Sequence, residues 1–193
     1  MELTFRLCER NDKEFNYKNV VWNLDQQIDV DDFLDMTTFP FEKAGWVEAA
    51  DNEAGYQLCA NDKFKGKTRL LYLLVVGGKV LKGGKVKGTL RNRSYKAGTE
   101  HSWNMTGKAS PTNYVYSQIF RECVKNNEPV EFYLYECPRQ IMRYPTSQGG
   151  FAEVEVAPYE EMESTLNAHL KEVLGHNPIG DGDLELEYKE LGV

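Results

Sequence analysis

Residues 70–84 read LLYLLVVGGKVLKGG, and no other stretch so narrows how this 193-residue chain can fold. An apolar run of that length, bounded by Gly-Gly and followed by a second short run, reads as two strands joined by a tight hairpin turn at Gly77-Gly78. The second strand is expected to end at Gly83-Gly84. The glycines do not make a phosphate loop of the G-x-x-x-x-G-K-[ST] kind. Gly78 and Gly83 have the spacing, but Gly84 stands in place of the lysine and Lys85 in place of the Ser or Thr.

Downstream, TLRNRSYKAG predicts a short helix closed by Gly98, with Arg91 and Tyr95 four apart on one face. A polar loop follows. In NYVYSQIFRECVKNN, Tyr116, Ile119, Phe120 and Cys123 keep helical spacing, and in PVEFYLYEC, Val130, Phe132 and Leu134 alternate as in a strand with one buried face. Residues 138–157 read as an insertion with a loop and a strand. Pro158 opens a last helix that Gly175 stops. Upstream, residues 1–66 offer a strand-like ELTFRL, an acidic helical segment around DVDDFLDM, and a turn-rich stretch, FPFEKAGWVEAADNEAG. The expectation is an α+β fold with a small central antiparallel or mixed sheet, in the order β-β-α-α-β-α, flanked by helices. Residues 1–66 form an extension, 67–180 the domain proper with insertions at 96–112 and 138–157, and 181–193 an acidic tail.

The net charge of −7 is unevenly spread. Eleven of the 23 basic residues fall between Lys63 and Lys96 with no acid among them, which leaves 12 against all 30 acids elsewhere. Such an island either faces phosphates, with the acidic remainder repelling nonspecific contact, or only solubilises strand edges. Cys8, Cys59, Cys123 and Cys137 keep no metal-ligand or disulfide-framework spacing, which points to a reducing compartment. With no apolar run near ~18 residues, the expected location is cytoplasmic, or nuclear in a eukaryote, away from membranes.

The last helix carries an oddity. Met162, Leu166, Leu170, Val173 and Leu174 form its apolar stripe, and Glu163 lies on the stripe's edge. A carboxylate there must be paired, protonated or metal-bound, unless it merely complements the helix N-terminus together with Glu160 and Glu161.

Over residues 67–180 the chain resembles the GIY-YIG nuclease family. LLY at 70–72 stands at the first motif, with Tyr72 matching its tyrosine, and LKG at 81–83 at the second. Arg91 follows Gly83 by eight residues, Tyr95 follows Arg91 by four, Glu163 matches the metal-binding glutamate, and Asn177 the closing asparagine. The first motif lacks its glycine, and Leu81 stands where the family has tyrosine, so Lys82 or Lys85 is the expected compensating polar group.

The resemblance implies a metal-dependent DNA endonuclease of restriction or phage-associated type, with RNA left open as a substrate. Tyr72 would bind or deprotonate the attacking water, Glu163 would hold a single Mg²⁺ or Mn²⁺, Arg91 would pair with the phosphate, and Tyr95 would orient the water or the arginine. Lys79, Lys82, Lys85, Lys87, Arg93 and Asn177 would line the nucleic acid, and two copies would pair to cut both strands. A nucleic-acid-binding protein that lost catalysis, and a protein-interaction module with an acidic surface, stand as alternatives.

Overall fold

The computed structural model describes residues 2–11, 14–52, 54–90, 111–156 and 158–178. The expected helix at 88–98 and the acidic tail therefore lie almost wholly outside the described residues. Strands β1 (Glu2–Asn11) and β2 (Glu14–Asn23) pair as an antiparallel ribbon, and helix α1 (Val30–Met36) follows a short 3-10 turn.

The stretch read as turn-rich instead supplies β3 (Glu42–Ala49), which pairs with β4 (Tyr56–Ala60). A turn at Asn52 follows β3, where the Asn52 side chain accepts from the Ala54 and Gly55 amides. The Asn52 cluster of turn formers is real, but Trp46 and Val47 carry strand preference just before it.

Strands β5 (Leu70–Val76) and β6 (Lys79–Val86) form the expected hairpin. Gly77 and Gly78 both take positive φ, 55° and 78°, as a primed two-residue turn requires. Helix α2 (Pro111–Lys125), strand β7 (Val130–Glu136) and helix α3 (Tyr159–Leu174) complete the core. Between β7 and α3, the insertion holds a second hairpin, β8 (Gln140–Pro145) with β9 (Phe151–Val156).

The main sheet has the order β4-β3-β7-β5-β6, and every neighbouring pair is antiparallel. The fold is α+β, and β3 and β4, which the sequence assigned to an extension, widen the same sheet. β5 has a hydrogen-bonded neighbour on each side and a packed layer on each face, so its LLYLLVV run needs no polar alternation. Leu70, Tyr72, Leu74 and Val76 join Tyr116, Ile119 and Phe120 of α2 in one cluster. Leu71, Leu73 and Val75 join Phe33 of α1 and Leu166 and Leu170 of α3 in another. β7 is likewise buried on both faces, since Tyr133 packs in the second cluster opposite Phe132 in the first.

Gly83 and Gly84 do not end β6, which runs on to Val86. They serve as gaps in its two faces. A Cβ on Gly83 would lie 2.6 Å from Asn167 Oδ1 and 2.9 Å from a Leu170 methyl, so this glycine lets α3 lie directly on the sheet. A Cβ on Gly84 would lie 2.4 Å from the Tyr72 hydroxyl on the other face. No helix among the described residues is long and apolar enough to cross a membrane.

Candidate active site

Helix α3 buries Leu166 and Leu170 against β5 and β6, and Glu163, one turn earlier, is carried to the β6 side of that contact. Residues of β6 two apart share a face, so Lys85 emerges beside Gly83 on the α3 side. Its ammonium donates to Glu163 Oε2 at 2.9 Å and lies 3.5 Å from Glu160 Oε1 and 5.7 Å from the centre of the Tyr159 ring. The pair is half-sheltered, with 31% of the Lys85 side chain and 23% of the Glu163 side chain exposed, whereas Glu160 is largely in solvent. Burial, the largest single influence, pulls the Lys85 pKa down. The hydrogen bond and charge of Glu163, with Glu160 behind it, outweigh that and hold it above the usual lysine value. Lys85 is therefore a fixed cation at neutral pH and not a general base.

Two further features mark this seam. Asn167 Oδ1, one turn beyond Glu163, is buried without a hydrogen-bond partner against Gly83. The N-cap position of α3 is Pro158, with no side-chain cap, so Glu160 and Glu161 are the groups that answer the positive end of the helix.

Among the described residues, Tyr72, Glu163 and Asn177 of the sequence-predicted set do not converge. Tyr72 is 2% exposed and points to the α2 face, its ring 5.9 Å from that of Phe132 in an edge-on contact. The sheet itself lies between the Tyr72 hydroxyl and Glu163, because Tyr72 alternates with Leu71 and Leu73, which face α3. Asn177 lies past the far end of α3, whose last residue is about 16 Å along the axis from Glu163. Arg91, Arg93 and Tyr95 lie outside the described residues.

The lysines do not present one cationic side. Lys79 pairs with Asp29 at 2.7 Å, Lys82 stands 5.5 Å over the Tyr116 ring on the α2 face, Lys85 faces α3, and Lys87 is exposed beyond the strand. Lys63 pairs with Glu42 and Lys67 with Glu136, so much of the acid-free stretch is matched by acids from other elements. Period-two alternation spread the cations over both faces, and the fold returned carboxylates to them. Leu81 is wholly buried in the α2-side cluster, the extra residue where the β5–β6 register shifts.

Sequence reasoning missed the partner of Glu163. The signal was present in the two-residue spacing of Gly83 and Lys85, a gap followed by a cation on one strand face. It also missed a cleft of about 530 Å³ at the sheet edge, lined by Trp46, Gln57, Phe64, Lys65, Thr89 and Leu90. That cleft opens beside the α2-side cluster, away from Glu163. Among the described residues, no three His, Cys, Asp or Glu side chains gather as a metal cage.

No family model and no curated protein matches the sequence. Solved structures do match the fold. A point mutant of bacteriophage T4 EndoII superposes with a TM-score of 0.51 at 17% identity, covering 77% of this chain and 96% of that one. The restriction endonuclease HPY188I in complex with product DNA gives a TM-score of 0.48 at 22% identity, covering 82% of this chain and 88% of that one. The chain is similar to EndoII in fold, at an identity that speaks to architecture alone.

Proposed function

We propose that the chain is a metal-dependent endonuclease of the GIY-YIG type that hydrolyses DNA phosphodiester bonds at the seam between α3 and β6. The observation that carries this reading is the Lys85–Glu163 pair, a half-sheltered cation and carboxylate set side by side where α3 rests on Gly83. The fold shared with EndoII supports it.

Phosphodiester hydrolysis needs a cation for the charge that grows on the phosphoryl oxygens and a carboxylate near the attacking water. Lys85, held protonated by its neighbours, answers the first need. Glu163 answers the second, with Glu160 beside it. The two carboxylates are hard oxygen donors and too few to cage an ion unaided, which suits Mg²⁺ or Mn²⁺ completed by water and a substrate phosphate. When bound, such an ion supplies Lewis-acid polarisation and a more acidic water. Lys85 would move from Glu163 to the phosphate as substrate arrives, an exchange the pair's partial exposure permits. In this reading Arg91 pairs with the phosphate, Tyr95 orients the water or that arginine, and Lys87 and Arg93 follow the backbone. Tyr72 contributes packing under Gly84.

The test is nicking of supercoiled plasmid with Mg²⁺ or Mn²⁺. Wild type cuts, excess chelator stops it, and Glu163→Gln or Lys85→Met lowers the rate by about 10²-fold or more while leaving the melting temperature nearly unchanged. Full cutting by Glu163→Gln would remove the seam from the chemistry.

A further inference from the structure

Within the acid-free stretch, Lys63, Lys67, Lys79 and Lys85 each hold a carboxylate. Lys65 and Lys87 are exposed and, among the described residues, hold none. Both stand at the cleft on the sheet edge. Lys65 lines it, and Lys87 comes two residues before Thr89, which lines it too.

Trp46 belongs to the same wall and is 40% exposed, yet its ring is pinned. The indole N–H donates to Glu48 Oε2 at 2.9 Å, and the Gln57 amide donates to Glu48 Oε1. Hydrogen bonds from Trp46, then Cys59 and Gln57, hold the Glu48 carboxyl below its ordinary value, so at neutral pH it stays ionised and keeps its grip on the indole. Phe64 and Leu90, both buried, add apolar lining.

We infer that this cleft seats one nucleotide, its base laid on Trp46 and its phosphate against Lys65, with Lys87 placed to meet the next phosphate of a strand. Chemistry selects this ligand. A rigid, exposed indole offers a flat face on which any base can stack, and stacking of this kind tolerates sequence. An unpaired ammonium beside it calls for an anion, and among the described residues no acid lines the cleft. The volume of about 530 Å³ lies within the range of small-molecule sites and admits a nucleotide. Neither Lys85 nor Glu163 lines it, so the nucleotide seated here is a different one from any whose phosphate reaches the α3–β6 seam. The seat does not depend on the nuclease reading and is measured by binding alone.

Fluorescence anisotropy of a labelled oligothymidylate about six nucleotides long, titrated in excess chelator so that no strand is cut, tests the inference. Wild type should bind saturably below about 1 mM at about 50 mM salt. Trp46→Ala should weaken binding by about 5- to 100-fold, whereas Trp46→Phe, which keeps a ring, should cost only a few-fold. Lys65 lies in an exposed turn, so Lys65→Gln serves should Trp46→Ala fold poorly. It should weaken binding and lower the slope of log K against log salt by about 0.7. Competition identifies the source of the nucleotide. Thymidine monophosphate that displaces the oligomer at similar concentration marks a site for free nucleotides, and displacement by strands alone marks a site for single-stranded nucleic acid; either result upholds the seat. Absence of binding by wild type overturns the inference, and so do Trp46→Ala and Lys65→Gln variants that both bind as wild type does. Inorganic phosphate that competes as well as the nucleotide also overturns it, since the base would then contribute nothing.

Discussion

Adding one methyl group at Gly83 or at Gly84 should separate stability from activity in opposite ways. Gly83→Ala places a Cβ 2.6 Å from Asn167 Oδ1 and 2.9 and 3.0 Å from methyls of Leu170 and Leu166, where ordinary contact begins near 3.4 Å. All three neighbours are side-chain ends that can turn aside in part, so the overpacking costs about 1–2 kcal/mol. For a chain of this size that lowers Tm by about 2–8 °C. The remaining strain lifts α3 from β6 by a few tenths of an ångström and moves Glu163 relative to Lys85. Misplacement approaching 1 Å costs on the order of 10²-fold in rate.

Gly84→Ala meets the Tyr72 hydroxyl and ring carbons at 2.4, 2.5 and 2.8 Å. That ring is buried and rigid, so the cost reaches about 3 kcal/mol or more and Tm falls by about 6–12 °C. The damage lies on the α2 face, away from the seam. Differential scanning calorimetry with plasmid nicking at a temperature where both variants are folded should thus rank Gly84→Ala as less stable and more active than Gly83→Ala. If activity simply follows stability across the two, the seam is not where the chemistry sits. Asn167→Ala in the Gly83→Ala background removes the closest clash and should restore part of both losses.

Other outcomes follow from the same packing. Tyr72→Phe keeps the ring against Phe132 and should cut plasmid within a few-fold of wild type, whereas near-complete loss with an unchanged fold would return the tyrosine to the site. Alkylation at pH about 8, mapped by mass spectrometry, should modify half-buried Cys59 before Cys123 and Cys137, since burial pushes both buried thiols up, Cys123 to about 12. Burial also pushes the Tyr56 hydroxyl up to about 12, against a smaller opposing hydrogen bond from Ser117. The folded chain thus keeps the Cys123 and Tyr56 protons above the ordinary values of 9.0 and 10.0. Stability is full below those values and falls as pH rises toward about 12. Tm measured across pH 9 to 12 should decline, less steeply in Tyr56→Phe.

Much of the fold was legible because its signals are local. Gly77-Gly78 between two apolar runs, the i, i+3, i+4, i+7 spacing in α2, and the Pro158-to-Gly175 span of α3 each set an element without help from elsewhere. β3 was hidden because Gly45 and the turn formers after Ala49 outweigh its strand preference, which pairing with β7 and β4 then rewards. At the candidate site, Glu163 stood out as a carboxylate on an apolar edge, but its partner did not. Motif spacing counts residues along the chain and is blind to which face of a strand each one takes. Tyr72 and Lys82 therefore fell on the α2 side while Gly83 and Lys85 fell on the α3 side.

The position of β7 in the sheet has a consequence for how the molecule assembles. β3 and β5 are finished early in the chain, yet they are not hydrogen-bonded to each other; each pairs with β7, which comes only at residues 130–136. Until that strand arrives, the two hairpins present open hydrogen-bonding edges beside exposed leucines, the state most prone to aggregate. Closure of this sheet is a late, long-range event, so folding should be limited by a single insertion between two preformed halves. A chain ending before Val130 should populate two unjoined hairpins and no cooperative unit.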